Sequence, residues 1–396
     1  MKNSEDKLIK YQSIIEEYIE KKDFNSAMNF IDKALQRSPN DKKIIFQKAR
    51  LLLLEGNIQE SYNITFELLK NSPNDINLLK LCARQQYYFQ NHEVTKKIYE
   101  RIINNSPNDI TAFIGITSSF MYLKEYENAI NYSLKGLEID PYSQELNNNL
   151  IASLIQIDNF ERAFEYVKNV EKNNPLSNII PSYGIYLNEQ LNKDHQFQYY
   201  QNPYNYIKEY EFHDNKNNFI ENFYNFISNI PKEWEPQYKT TVKGSQTDNN
   251  LFYKYNDNKE IKDLINFITN TIKKYREFYK NTSDLYIREF PDLYSLNGWA
   301  VSLKSSGYQA SHNHVNAWVS GVFYIKIPKK NNKNDGDIVF STHGYDFPKT
   351  KNKVSEKIVN VKEGNLVFFP SCLYHKTIPF ESNDDRVSIA FDLSKI

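Results

Sequence analysis

The chain has 396 residues, and its 49 Lys plus Arg balance 49 Asp plus Glu. That length suits two or three domains, and the balanced charge gives no indication of a nucleic-acid partner. Cys82 and Cys372 are its two cysteines, which excludes a disulfide scaffold and fits a reducing compartment. The N-terminus lacks the apolar core of a secretory signal, and the longest aliphatic run, Leu51 to Leu54, is far short of a membrane span. The expectation is a cytoplasmic protein with no membrane partner.

In chain order, the first signal is a repeat. The tetrapeptide Ser-Pro-Asn-Asp occurs at Ser38–Asp41, Ser72–Asp75 and Ser106–Asp109, and the prolines continue in step as Pro39, Pro73, Pro107, Pro141 and Pro175, each 34 residues after the last. Proline cannot continue a helix and pushes the residue before it out of the helical region, while the Asn or Asp that follows can cap the next helix. Small residues fall at Ala27, Ser61, Thr95, Ala129 and Ala163, where two antiparallel helices must approach closely. Three residues before them stand Phe24, Ile58, His92, Tyr126 and Phe160. The spacing predicts five helix pairs over 8–177, stacked as an all-α solenoid. The period, the small residue and the closing proline resemble the tetratricopeptide repeat (TPR) family, although most units lack its usual Trp and Gly. The resemblance implies a concave groove for a protein or peptide partner, or else an array that only spaces or assembles the molecule.

The period fails in the tyrosine-rich stretch that follows, and 178–217 is expected to hold a capping helix or linker. From Asn218 the pattern changes again. "FIENFYNFISNI" and "EIKDLINFITNTIKKYREFYK" read as amphipathic helices. Beyond Tyr294, "NGWAVSLK", "WVSGVFYIKI", "GDIVFST", "EKIVNV", "NLVFFP" and "RVSIAFDL" read as short strands of a sandwich or barrel braced by those helices.

Four of the seven histidines, His312, His314, His343 and His375, lie in this strand region. At strand spacing, His312 and His314 point to the same face. His375 follows a strong strand, and in a barrel it can be brought beside them to complete a facial metal site. The alternative is a chance cluster. Arg386 and Ser388 likewise share a strand face. Arg386 either turns inward to grip a carboxylate with its two-pronged guanidinium or sits on the rim beside Asp384 and Asp385. His343 reads as a loop residue and Cys372 as a small buried hydrophobe.

Taken together, "HNHVNAWVSGVFYIKIP", "GDIVF", "EGNLVFFPSCLYHKTIP" and "RVSIAF" resemble the Fe(II)/2-oxoglutarate-dependent dioxygenases, within the prolyl-hydroxylase-like superfamily, over roughly 218–396. The resemblance implies a double-stranded β-helix, a jelly roll, with His312, His314 and His375 holding Fe(II). It implies that Arg386 grips the distal carboxylate of 2-oxoglutarate with Ser388 assisting, and that Tyr324 hydrogen-bonds this cosubstrate. Molecular oxygen would then drive conversion of 2-oxoglutarate to succinate and hydroxylation of a C–H bond. Most such enzymes carry Asp or Glu two residues after the first histidine, where this chain has His314. Asn316 is therefore an alternative ligand, paired with His314 and leaving His312 outside. The sequence leaves three functions open: a hydroxylase whose repeats position a protein or peptide, an inactive repeat scaffold, and a small-molecule or sugar oxygenase whose repeats serve assembly.

Overall fold

In the computed structural model of the protein, residues 11, 13–19, 21, 23–173, 180–193, 198–213, 218–237, 239–344, 347–348 and 354–396 are described. The chain divides into two compact units, Met1–Ser153 and Leu154–Ile396.

The first unit is helical throughout its described elements. Helices Phe24–Arg37, Lys42–Leu54, Ile58–Asn71, Ile76–Tyr88, His92–Asn105, Ile110–Tyr122 and Tyr126–Ile139 follow one another through short turns, and Gln144–Gln156 ends the series. The repeated tetrapeptide makes the turn between pairs. The amides of Asp41, Asp75 and Asp109 donate back to Ser38 O, Ser72 O and Ser106 O at 3.2, 3.2 and 3.1 Å. The same aspartates then cap the next helix. Asp75 accepts from the amides of Asn77 and Leu78 at 2.9 and 3.1 Å, and Asp41 accepts from those of Lys43 and Ile44 at 2.9 and 3.2 Å. Each cap satisfies amides that have no partner inside the helix. Phe24, Ile58, His92, Tyr126 and Phe160 are each the first residue of a helix. The small residues Ala27, Ser61, Thr95, Ala129 and Ala163 are all 0% exposed. Ser61 is tolerated at such a crossing because its hydroxyl donates to Ala49 O at 2.6 Å. Pro175 lies outside the described residues.

The second unit begins with helices Phe160–Asn173 and Ile180–Leu191 and continues into an antiparallel β domain. Its strands are β1 (Lys208–Glu211), β2 (Glu233–Trp234), β3 (Thr241–Gln246), β4 (Tyr294–Gln309), β5 (Val319–Lys326), β6 (Ile338–Ser341), β7 (Glu356–Val359), β8 (Asn365–Pro370), β9 (Tyr374–Thr377) and β10 (Arg386–Lys395). One sheet has the order β1-β8-β5-β10-β4-β3-β2, and a smaller one the order β7-β6-β9. Residues 208–211, which the sequence reading leaves in a capping helix or linker, form edge strand β1 and pair with β8 from Lys208↔Phe368 to Glu211↔Asn365. The signal was hidden because "KEYE" is a half-exposed alternation of charge and aromatic rather than an apolar run.

Helices Phe219–Asn229 and Lys259–Phe278 are the two amphipathic segments expected. They pack on the larger sheet through aromatic rings, with Phe219 and Phe267 centred 6.2 and 6.3 Å from Phe323, and Tyr275 5.9 Å from Phe368. Alternation along a strand then assigns the other face. Phe323 of β5 faces the helices, so Ser320, Val322 and Tyr324 face away from them. On β10 the register sets Ser388 opposite Tyr324, Ala390 opposite Val322 and Asp392 opposite Ser320. One row of alternate residues on a central strand, buried on both faces, thus carries arginine at one end and aspartate at the other.

Candidate metal centre and anion pocket

Three imidazoles meet where the two sheets face each other. His375 comes from β9 of the smaller sheet, directly opposite Phe340 of β6. His312 and His314 lie on the connection that leaves β4. The sequence reading places this pair on a strand, but β4 ends at Gln309 and the segment bends there. The two rings converge because backbone bonds fix the bend. His312 and His375 exchange amide–carbonyl bonds at 3.1 and 2.8 Å, and the His314 amide donates to Ser371 O at 2.8 Å. Ring centroids lie 5.1, 4.3 and 5.1 Å apart for the pairs His312–His314, His312–His375 and His314–His375. A nitrogen of each ring falls within 4.8 Å of the other two.

The hydrogen bonds decide which nitrogen that is. His312 Nδ1 lies 2.7 Å from Ala310 O, His375 Nδ1 3.1 Å from Leu373 O, and His314 Nδ1 2.7 Å from Asp392 Oδ1. A carbonyl or carboxylate oxygen only accepts, so each Nδ1 carries a proton and each Nε2 is the nitrogen left for a metal. His314 Nε2 is buried with no hydrogen-bond partner. Protons do not relieve the crowding. Burial, with His314 beside it, holds His312 down to about 4. Burial, with His312 and His314 beside it, holds His375 well below the usual imidazole range. Three imidazoles whose Nε2 atoms are turned toward one another are a donor set for a divalent transition metal, and imidazole nitrogen suits Fe(II) as it suits zinc. Asn316, the alternative ligand, is exposed in the turn that follows.

Beside the histidines lies a pocket lined by His314, His375, Tyr324, Arg386, Ser388 and Val322, among others. Arg386 is 3% exposed, which rules out the rim. The neighbouring acids are engaged elsewhere, Asp384 with Lys326 at 3.4 Å and Asp385 with Lys304 at 2.6 Å. The guanidinium donates through Nε to Gly336 O at 2.8 Å and through Nη1 to Ser388 Oγ at 3.4 Å. Its carbon sits 5.0 Å from the centre of the Tyr324 ring. Gly336 presents that carbonyl with φ +72°, a backbone conformation suited to glycine. Among the described residues no carboxylate lies within ion-pairing distance of Arg386. Burial lowers its pKa, and the Tyr324 and Asp337 side chains act against that fall. Tyr324 Oη is buried and without a hydrogen-bond partner, and burial pushes its pKa up to about 12. A buried cation lacking a counter-ion, next to a phenol lacking a partner, fits an anion with hydrogen-bond acceptors.

Residues 297–392 match the family model described as "Putative 2OG-Fe(II) oxygenase". Residues 18–84 match that of the tetratricopeptide repeat. No curated protein matches the chain. Solved structures similar to it include MamA 41-end from Desulfovibrio magneticus RS-1, at 17% identity over 41% of this chain and 92% of that one, with a TM-score of 0.38. Others are a tetratricopeptide repeat protein from Parabacteroides merdae ATCC 43184, at 17% over 45% and 72% with 0.40, and Pseudomonas aeruginosa pilF, at 14% over 46% and 83% with 0.42. The oxygenase match contains every residue singled out above for metal and anion.

The remaining histidine of the strand region has a packing role. His343 Nε2 lies 3.1 Å from Pro348 O, and its ring packs edge-on against Tyr186 and Phe347. Cys372 is buried against Tyr199, and burial pushes its pKa up to about 12. Sequence reasoning missed Asp392, although its place at alternate spacing from Arg386 and Ser388 puts it on their face. It also missed Trp299, whose ring stacks on His314 at 5.5 Å.

Proposed function

We propose that the C-terminal domain is an Fe(II)- and 2-oxoglutarate-dependent dioxygenase, and that the repeats position its substrate, a protein or peptide. One observation carries the reading: three Nδ1-anchored imidazoles with convergent Nε2 atoms adjoin a buried arginine that, among the described residues, has no carboxylate partner. His312, His314 and His375 hold the metal through Nε2. Arg386 grips the distal carboxylate of 2-oxoglutarate in two-pronged fashion. Ser388 and Tyr324 add hydroxyls from directly opposed positions on β10 and β5. Fe(II), with oxygen and 2-oxoglutarate, supplies the decarboxylation to succinate that drives hydroxylation of a C–H bond. The chain's own contribution is to orient the cosubstrate and keep water from the buried end of the pocket.

Support for a macromolecular substrate comes from the first unit. Leu54, Tyr88 and Tyr122 recur at the 34-residue period and are 52, 47 and 57% exposed. A row of exposed apolar side chains, one in each of three successive repeats, suits a protein partner. No helix among the described residues is long and apolar enough to cross a membrane. Cys82 and Cys372 are free, and we place the protein in the cytoplasm.

The test is succinate release from 2-oxoglutarate by the anaerobically iron-loaded protein on admission of oxygen, with and without candidate peptides. Succinate formed in wild type and lost in His375→Ala supports the reading. Wild type that binds neither iron nor 2-oxoglutarate overturns it in favour of a scaffold.

A further inference from the structure

The three imidazoles are not equivalent. His312 and His375 donate Nδ1–H to neutral backbone carbonyls, whereas His314 donates to a carboxylate. Among the described residues, Asp392 is the one acid hydrogen-bonded to any of the three imidazoles. Its position is built. Asp392 stands opposite Ser320 in the β10–β5 register, and Ser320 Oγ donates to the same Oδ1 at 2.6 Å. Ser320 is 1% exposed, while the His314 and Asp392 side chains are 10% and 21% exposed. On its other side His314 is held flat by the Trp299 ring, at an interplanar angle of 23°.

A three-histidine set brings no negative charge to a dication. A facial set containing a carboxylate brings one. A hydrogen bond from Nδ1 to a carboxylate draws negative charge onto the imidazole and makes Nε2 a better donor, which a carbonyl does far less. We propose that Asp392 is a positioning residue that supplies, through His314, the negative charge this ligand set lacks. His314 thereby takes the place of the missing carboxylate ligand, with Ser320 and Trp299 holding the pair in line. The proposal rests on the reading of the three histidines as a metal site.

The experiment is anaerobic titration of the metal-free full-length protein with Fe(II) and separately with Co(II), following heat and the cobalt absorption. Wild type is compared with Asp392→Asn, Asp392→Glu and Ser320→Ala, each with its thermal transition. Asp392→Asn keeps an acceptor oxygen and the side-chain shape but removes the charge. Loss of carboxylate partners behind metal-binding histidines costs about tenfold to a hundredfold in affinity. The expected result is such a loss in Asp392→Asn with its transition retained, together with an altered cobalt spectrum and partial recovery in Asp392→Glu. Wild-type affinity in a folded Asp392→Asn overturns the proposal while leaving the metal site standing. No metal binding by wild type overturns the metal reading itself, and the proposal with it. Should Asp392→Asn not fold, Ser320→Ala decides: several-fold weaker binding supports the role, and unchanged binding overturns it.

Discussion

Replacing Arg386 with methionine separates an arginine kept for a ligand from one kept for the fold. Arg386 lies on central strand β10 at 3% exposure, so its charge is removed from water in the folded protein. That desolvation costs several kcal/mol when no counter-ion repays it. The repayment in the structure is a charged hydrogen bond to Gly336 O at 2.8 Å, a long one to Ser388 Oγ at 3.4 Å and the Tyr324 ring at 5.0 Å. Such a hydrogen bond returns about 1.5–3 kcal/mol and a desolvated cation–π contact about 2. The sum lies near zero or on the unfavourable side. Methionine fills most of the arginine stem's volume without the charge. Arg386→Met should therefore leave the unfolding free energy of the ligand-free protein within about 1 kcal/mol of wild type, or raise it. Binding should respond in the opposite sense. Losing the cationic half of a buried pair costs about 3–5 kcal/mol, which is roughly a hundredfold or more in the 2-oxoglutarate dissociation constant. Iron affinity measured alone should hold. The assays are urea unfolding of the metal-free protein and calorimetric titration of 2-oxoglutarate into the anaerobic Fe(II) form. A variant that loses 3 kcal/mol or more of stability yet binds 2-oxoglutarate like wild type would refute the reasoning and make Arg386 a structural residue.

Tyr324→Phe removes a buried hydroxyl with no partner, so thermal unfolding of the ligand-free protein should show it unchanged or more stable by about 1 kcal/mol, while titration shows weaker 2-oxoglutarate binding. For pH, the folded pKa of His312, about 4, lies below its ordinary 6.5. The unfolded chain binds the extra proton between those values, so stability of the metal-free protein should rise with pH through that window and be lost as pH falls through it. His312 alone contributes on the order of 3 kcal/mol, and flat stability from pH 7 to 4.5 in urea unfolding would contradict the buried neutral ring. Asp75→Ala removes the cap on Asn77 and Leu78 and should cost about 1 kcal/mol in thermal unfolding. Asn57→Ala should cost measurably less, since Asn57 makes no side-chain cap bond.

What was legible in the sequence follows from how local each signal is. The helical array was readable because its turn chemistry repeats within each unit: Pro39, Pro73 and Pro107 stop a helix, and Asp41, Asp75 and Asp109 cap the next one two residues on. Strands β5, β8 and β10 were readable from apolar runs, whereas β1 was not, because Lys208–Glu211 alternates and becomes a strand only through its pairing with β8. The site divides along the same line. His312 and His314 stand two apart, which suggested one metal, yet the stated reason, strand geometry, gives way to a bend held by bonds to His375 and Ser371. Arg386 was left between rim and interior because burial depends on a second sheet and covering helices far away in sequence. Asp392 was the hardest to see, since its partner His314 lies on another segment and its orienting Ser320 on another strand. The alternation of Arg386, Ser388, Ala390 and Asp392 held half of that information. A charged residue on the same face as a buried arginine, at the other end of a strand covered on both faces, must find a partner. The guanidinium lies at the opposite end of the row, and the partner Asp392 finds is the imidazole of His314.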